Sequence, residues 1–321
     1  MASNASSIQT ITFPDQRLLD AVQPLPEGMR GGIWDLQSEP DGVELGEVDA
    51  VILPYMGPKL LDQLSRVPHL KMVQTQTTGY DGIPEAVGED VAVVSAAGVH
   101  ADSTAEMAVA LMLASLRGID VAARDQVAAR WNPQRWTSLA DRKVLLVGVG
   151  GIGAGIAARL EPFGVELTRV GSTARDDAAG HVHGTDELVA LARHTDVIVV
   201  ITPLSEATHH LVNAGVLAAM PDGALVVNVA RGAVVDSDAL TAEVVSGRIR
   251  AAIDVFDPEP VPEDHPLWKA EGALITPHNA GNSSAFFPRV VRLLQSQLAA
   301  IASGGSPENL VRSGPFAADG R

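Results

Sequence analysis

The chain has 321 residues, 46% of them hydrophobic, a formal net charge of −16 and no cysteine. That length exceeds one compact core, so two domains are expected, and the hydrophobic share excludes a disordered chain. An acidic surface without a Lys/Arg run excludes a general nucleic-acid or anionic-membrane partner. The missing cysteines exclude disulfides, thiolate nucleophiles and Cys-ligated metals.

In chain order, the start "MASNASSIQTITF" has neither a basic nor an apolar leader segment, and no apolar run reaches bilayer length. A cytoplasmic protein is expected. Residues 49–55 (DAVILPY), 70–76 (LKMVQTQ) and 91–97 (VAVVSAA) read as strands, and a long helical pattern runs from near Ser103 to about residue 130. The loop "WNPQRWTSLADR" precedes a second block of strands at 143–148, 165–171, 196–203, 224–230, 251–256 and 273–277. Helical patterns at 152–163, 185–194 and 237–246 lie between them, and a long amphipathic pattern spans 283–302. The polar tail beyond it is expected to be mobile. Strands apolar on both faces and spaced by helices predict an α/β protein with parallel sheets.

The stretch "VGVGGIG" (147–153) carries a G-x-G-x-x-G spacing, a weak signal alone. Here it follows the strand "KVLLV", opens the helix "IGAGIAARLEPFG" and is followed by the strand "VELTRV". In that context Gly148 permits a tight turn, Gly150 lets a pyrophosphate approach the backbone, and Gly153 allows close helix–strand packing. The helix N-terminus adds free amides for the phosphates. The bland reading is a ligand-free glycine turn.

About twenty residues on, an NAD site places an acid that binds the ribose hydroxyls. This chain has Gly171 there, then Ser172, Thr173 and Arg175, with the next acid at Asp176. Loss of the carboxylate removes its repulsion of a 2′-phosphate, and Arg175 offers a guanidinium fork for one. NADP(H) is therefore favoured over NAD(H), the alternative being a surface turn with an incidental arginine.

The segments "TPLSEATHHLVN" (202–213), "VVNVARGAVVDSDAL" (226–240), "AAIDVFDPEP" (251–260) and "LITPHNAG" (274–281) resemble the D-isomer-specific 2-hydroxyacid dehydrogenases in order and spacing. The likeness is looser over residues 1–100, where "TTGYDGI" (77–83) carries it. The resemblance implies two Rossmann-like or flavodoxin-like domains, each with a mostly parallel sheet, and an active site in the cleft between them. Residues 1–101 with 282–321 would bind substrate, and 102–281 the dinucleotide. It implies NADP(H)-dependent reduction of a 2-keto acid to a D-2-hydroxy acid, of the glyoxylate/hydroxypyruvate or a broader type, by a homodimer.

The resemblance assigns catalysis to Arg231, Glu259 and His278. The chemistry is coherent: a histidine gives a proton to the carbonyl oxygen, a carboxylate beside it favours the imidazolium, and an arginine fork holds the substrate carboxylate. Singly, each could be a loop cap, a salt-bridged turn or an acidic surface loop. The resemblance also places Gly151, Ile152, Thr202, Pro203, Val229, Asp254 and Thr104 along the cofactor, and Thr78, Gly79, Arg231 and His278 at the substrate. For Thr78 and Asp254 a structural role is an equal reading. Met56, Tyr80, Trp268, Phe286 and Phe287 could line a pocket, or belong to the core.

No metal site is expected: His181 and His183, and the pair His209–His210, have no Cys partner or HExxH-like spacing and read as solvated loop histidines. Two other readings stay open. One is a phosphite-oxidising relative with the same Arg-Glu-His set; the other is a non-enzymatic, corepressor-like NAD(H) sensor.

Overall fold

The computed structural model describes residues 8–55 and 60–316. These form two compact units, one of residues 1–100 with 284–321, the other of residues 101–283.

The first unit is built on a six-stranded sheet. Its strands are β1 (Thr10–Phe13), β2 (Arg30–Ile33), β3 (Ala50–Ile52), β4 (Met72–Gln74), β5 (Ala92–Val94) and, from the far end of the chain, β14 (Leu310–Arg312). They lie in the order β14-β5-β4-β3-β1-β2, parallel except for β14 against β5. Strand alternation sends Ala50, Ile52, Ala92 and Val94 to one core with Ile11 and Phe13, and Val51, Val73 and Val93 to another around Trp34. Burial on both faces is why these strands read as unbroken apolar runs. Helices α1 (Gln16–Val22) and α9 (Phe286–Ala302) cover the first face through Leu18, Val290, Leu294 and Leu298; α2 (Ile83–Ala86) adds Ile83 to the second.

The second unit holds β6 (Lys143–Val147), β7 (Glu166–Val170), β10 (Val197–Val200), β11 (Leu225–Asn228), β12 (Arg250–Ile253) and β13 (Ala273–Ile275), parallel in the order β13-β12-β11-β10-β6-β7. Its helices are α3 (Ala101–Leu116), α4 (Ile119–Val127), α5 (Gly151–Leu160), α6 (Leu188–Ala192), α7 (Ala214–Ala219) and α8 (Ser237–Val245). Side-chain caps set two starts: Asn213 accepts from the Gly215 and Val216 amides ahead of α7, and Asp236 from the Ala239 amide ahead of α8. Such caps contribute about 1 kcal/mol each. The chain leaves β6 for β7 on one side, then returns to β10 on the other. That reversal puts a topological switch point at the carboxyl ends of β6 and β10, where ligands bind in open α/β sheets.

The structure differs from the sequence expectations in three places. The helical pattern from Ser103 to residue 130 is two helices, broken where Gly118 takes a left-handed φ of 61° with Trp136 packed against its α-carbon. The tail after α9 is not loose through residue 316. It returns as β14, Arg312 donates to the carbonyls of Pro84, Gly88 and Val91, and Phe316 is buried. Lastly, a hairpin of β8 (Arg175–Asp177) and β9 (Gly180–Val182) follows β7, its residues too polar to read as strands.

Candidate active site

The glycine turn lies at the switch point, and its glycines are set by contact. Gly148 has φ 118°, and a Cβ there would fall 2.7 Å from the Ile201 carbonyl and 2.9 Å from the Thr202 amide nitrogen. At Gly153 a Cβ would meet the Gly148 oxygen at 2.1 Å, so only glycine lets α5 approach β6 this closely. Gly150 and Gly151 face open space. The first amides of α5 have no side-chain cap, leaving a cradle of free donors of the kind a pyrophosphate fills. The residues present fit a dinucleotide. Ile152 is half-buried against the core under α5, Pro203 accepts from the Thr208 hydroxyl, and Val229 is buried just past β11. Thr104 is buried on α3, whose Ala105 packs on Gly155 of α5.

At the end of β7, Ser172, Thr173 and Arg175 are exposed. Arg175 Nη1 donates to the Thr173 carbonyl and lies 2.9 Å from where a Cβ of residue 171 would be. A guanidinium thus stands over the position expected to carry an acid. The two acids that follow are engaged elsewhere: Asp176 with His181 at 2.9 Å, and Asp177 with Arg169 through both oxygens at 2.8 and 2.9 Å.

The proposed catalytic residues sit on loops at the carboxyl ends of β11, β12 and β13. Glu259 Oε2 is 2.7 Å from His278 Nδ1, while its Oε1 accepts from the Phe256 amide at 3.0 Å. The hydrogen bond to Glu259 is the main reason His278 is held above its ordinary value of 6.5; desolvation and the Arg231 charge oppose it, and the charges of Glu259 and Asp254 add to it. For Glu259, burial acts most strongly and upward. The His278 bond, the Phe256 amide and the charges of His278 and Arg231 together outweigh it, so the carboxyl falls below its ordinary 4.5. Each shift favours the charged form of its group, and pairing through Nδ1 leaves Nε2 outside the Glu259 hydrogen bond.

Asp254 is the hinge of this arrangement. Only 2% exposed, it accepts from the Thr276 hydroxyl and the Asn279 amide through Oδ1, and from the Ala280 amide through Oδ2. The His278 amide donates to the Asp254 carbonyl, and His278 itself is held at φ 53°, a strained conformation for a non-glycine residue. The Asp254 carboxylate thus holds together the loop that presents His278.

Two positioning residues went unnoticed in the sequence. Buried Asn228 donates to the Arg231 carbonyl and accepts from the Ala230 amide, fixing the turn that carries Arg231. A Cβ at Gly232 would fall 2.0 Å from the Phe256 carbonyl, so this glycine lets the Arg231 turn lie on the loop of Glu259. The "NVARG" spelling was the available signal.

The remaining candidates separate. Thr78 and Gly79 follow β4 in the first unit; the Thr78 hydroxyl is buried without a hydrogen-bond partner, and the Gly79 carbonyl accepts from Thr77. Phe286 stacks on Tyr55 at 3.9 Å and on His100 at 5.0 Å, and Phe287 lies under the Arg17 guanidinium. Tyr80 and Trp268 are surface residues, and Met56 lies outside the described residues.

The family described as D-isomer specific 2-hydroxyacid dehydrogenase, NAD binding domain, matches residues 109–280. An uncharacterised protein of Corynebacterium melassecola is 37% identical over 67% of this chain and 73% of its own length. A glyoxylate reductase of Thermofilum pendens is 34% identical over 77% of this chain and 76% of its own. The crystal structure of an NADPH-dependent glyoxylate/hydroxypyruvate reductase from Sinorhizobium meliloti, in complex with NADP and malonate, superposes with a TM-score of 0.80. It is 30% identical and covers 98% of this chain and 100% of that one. The chain belongs to the D-isomer-specific 2-hydroxyacid dehydrogenase family, oxidoreductases that act on the CH–OH group of 2-hydroxy acids.

Proposed function

We propose that this protein reduces a 2-keto acid to the D-2-hydroxy acid with NADPH, glyoxylate and hydroxypyruvate being the foremost substrates. The observation that carries the reading is the His278–Glu259 pair at 2.7 Å, with the Arg231 charge acting on both. Arg231 binds the substrate carboxylate through its fork of donors. His278, charged and oriented through Nδ1, gives the proton on Nε2 to the carbonyl oxygen and regains one from solvent. The 148–153 turn, Thr202, Pro203 and Val229 would hold the dinucleotide, which when bound would supply the hydride and leave in its oxidised form. With that hydride on the carbonyl carbon, the proton from His278 Nε2 on the oxygen would complete the hydroxy acid.

The preference for NADPH rests on Arg175 standing over Gly171 and on the engagement of Asp176 and Asp177 with other partners. We assign the cofactor to the second unit, and to the Thr78–Gly79 loop of the first a part in holding substrate. A homodimer is proposed from the family resemblance, with Val127 (91% exposed) and Trp131 (96% exposed) among the apolar residues the second unit offers a partner. Light scattering reads it, and a monomer at micromolar concentration contradicts it.

The test is a steady-state panel of 2-keto acids, each with NADPH and with NADH. Turnover with a higher kcat/KM for NADPH is expected. Cofactor binding without turnover of any 2-keto acid overturns the proposal in favour of a cofactor-sensing protein.

A further inference from the structure

We propose that His181, His183 and Glu187 form a binding site for a divalent transition-metal ion such as Zn2+, fastening the β8–β9 hairpin to the turn that leads into α6. None of the three takes part in the reaction above. Each offers a ligand atom, and these atoms all lie within 4.8 Å of one another. Two imidazoles and a carboxylate suit Zn2+, Ni2+ or Cu2+ rather than Mg2+ or Ca2+.

The backbone builds the cluster. His181 and His183 are two apart on an extended segment, so their side chains leave the same face, and their rings meet edge to face with centroids 4.6 Å apart. His183 is pinned at both main-chain groups: its amide donates to the Arg169 carbonyl, and its carbonyl accepts from the Gly171 amide. A tight turn over Thr185–Glu187 brings Glu187 back, its Oε1 accepting from the Gly184 amide and its Oε2 standing 2.9 Å from His183 Nδ1. Sequence spacing shows the two histidines but not this returning carboxylate.

A tetrahedral ion with bonds of about 2.0–2.1 Å needs donor atoms about 3.3 Å apart. The His183–Glu187 pair is already close to that edge, and closing the widest gap asks about 1.5 Å of movement by ring rotation. His181 can supply it, since its side chain is half exposed. Its Nδ1 lies 2.9 Å from Asp176 Oδ1, the carboxylate–histidine pairing that orients a ring and leaves Nε2 for an ion. Water completes the coordination.

The experiment titrates the full-length, untagged protein with ZnCl2 by calorimetry and with CoCl2 by visible absorption. One ion per chain, a four-coordinate cobalt spectrum and a melting temperature that rises with Zn2+ are expected. His181→Ala, a change at an exposed side chain, weakens binding at least about tenfold and abolishes the rise in melting temperature, as does Glu187→Gln. His210→Ala and His278→Ala leave the site's affinity unchanged. Absence of stoichiometric binding at micromolar metal, binding that persists in both His181→Ala and Glu187→Gln, or binding lost with His278 instead, overturns the proposal.

Discussion

Gly232→Ala tests whether the Arg231 turn and the Glu259 loop must touch. The added methyl would fall 2.0 Å from the carbon and oxygen of the Phe256 carbonyl and 2.5 Å from the Asp257 nitrogen. Ordinary contact begins near 3.4 Å, so the two loops must separate by about 1.4 Å, and the obstacle is backbone that cannot rotate away. Such overpacking costs about 1–3 kcal/mol. For a unit of this size that lowers the melting temperature by about 2–12 °C. The larger effect falls on rate. The Phe256 amide anchors Glu259, so moving it displaces the Glu259–His278 pair relative to Arg231. A misplacement of about 1 Å costs on the order of a hundredfold in turnover. Steady-state kinetics should show kcat down by about that factor, with NADPH affinity, read by fluorescence titration, changed only a few-fold. A kcat within about twofold of wild type, with an unshifted melting temperature, refutes the reasoning.

Other expectations follow from the same contacts. Because Glu259 holds His278 above 6.5, reductive kcat/KM should fall as pH rises through that raised value, so the falling limb lies above 6.5. Glu259→Gln should move the falling limb to lower pH, and an unmoved limb contradicts the pairing. For stability, the raised His278 contributes in full below 6.5 and loses its effect as pH rises through its folded value. The depressed Glu259 contributes above 4.5 and loses its effect as pH falls through its own, so urea midpoints should be highest between the two folded values. Arg175→Ala should weaken NADPH far more than NADH; equal weakening rejects the 2′-phosphate assignment. Asp254→Asn turns an amide donor toward an amide that needs an acceptor, at about 1–3 kcal/mol. It should lower both the melting temperature and the apparent pKa of the His278 limb, and a change in cofactor affinity alone would count against the loop-building role.

The strands around the ligand-binding ends were legible because burial on both faces leaves a run such as Val197–Val200, wholly apolar and fully buried. Their ends were not, since apolar residues such as Ile201 and Val229 continue past the ladder into loops. The hairpin at Arg175–Val182 was illegible for the opposite reason: its strands RDD and GHV are almost wholly exposed. Gly118 gave no warning either, because one glycine inside a helical pattern is spelled alike whether it is tolerated or breaks the helix. At the site, Arg231, Glu259 and His278 stood out through family spelling. The supports did not: that Asp254 spends both oxygens on the 276–280 loop, or that Gly232 lies on Phe256, is a fact of tertiary contact.

The most direct test of the central claim compares wild type with His278→Ala for NADPH oxidation by a 2-keto acid that wild type turns over, alongside NADPH binding. The account predicts turnover reduced by about 10²–10⁴-fold with cofactor affinity retained. Turnover within a few-fold of wild type would contradict the assignment of His278 as the proton donor.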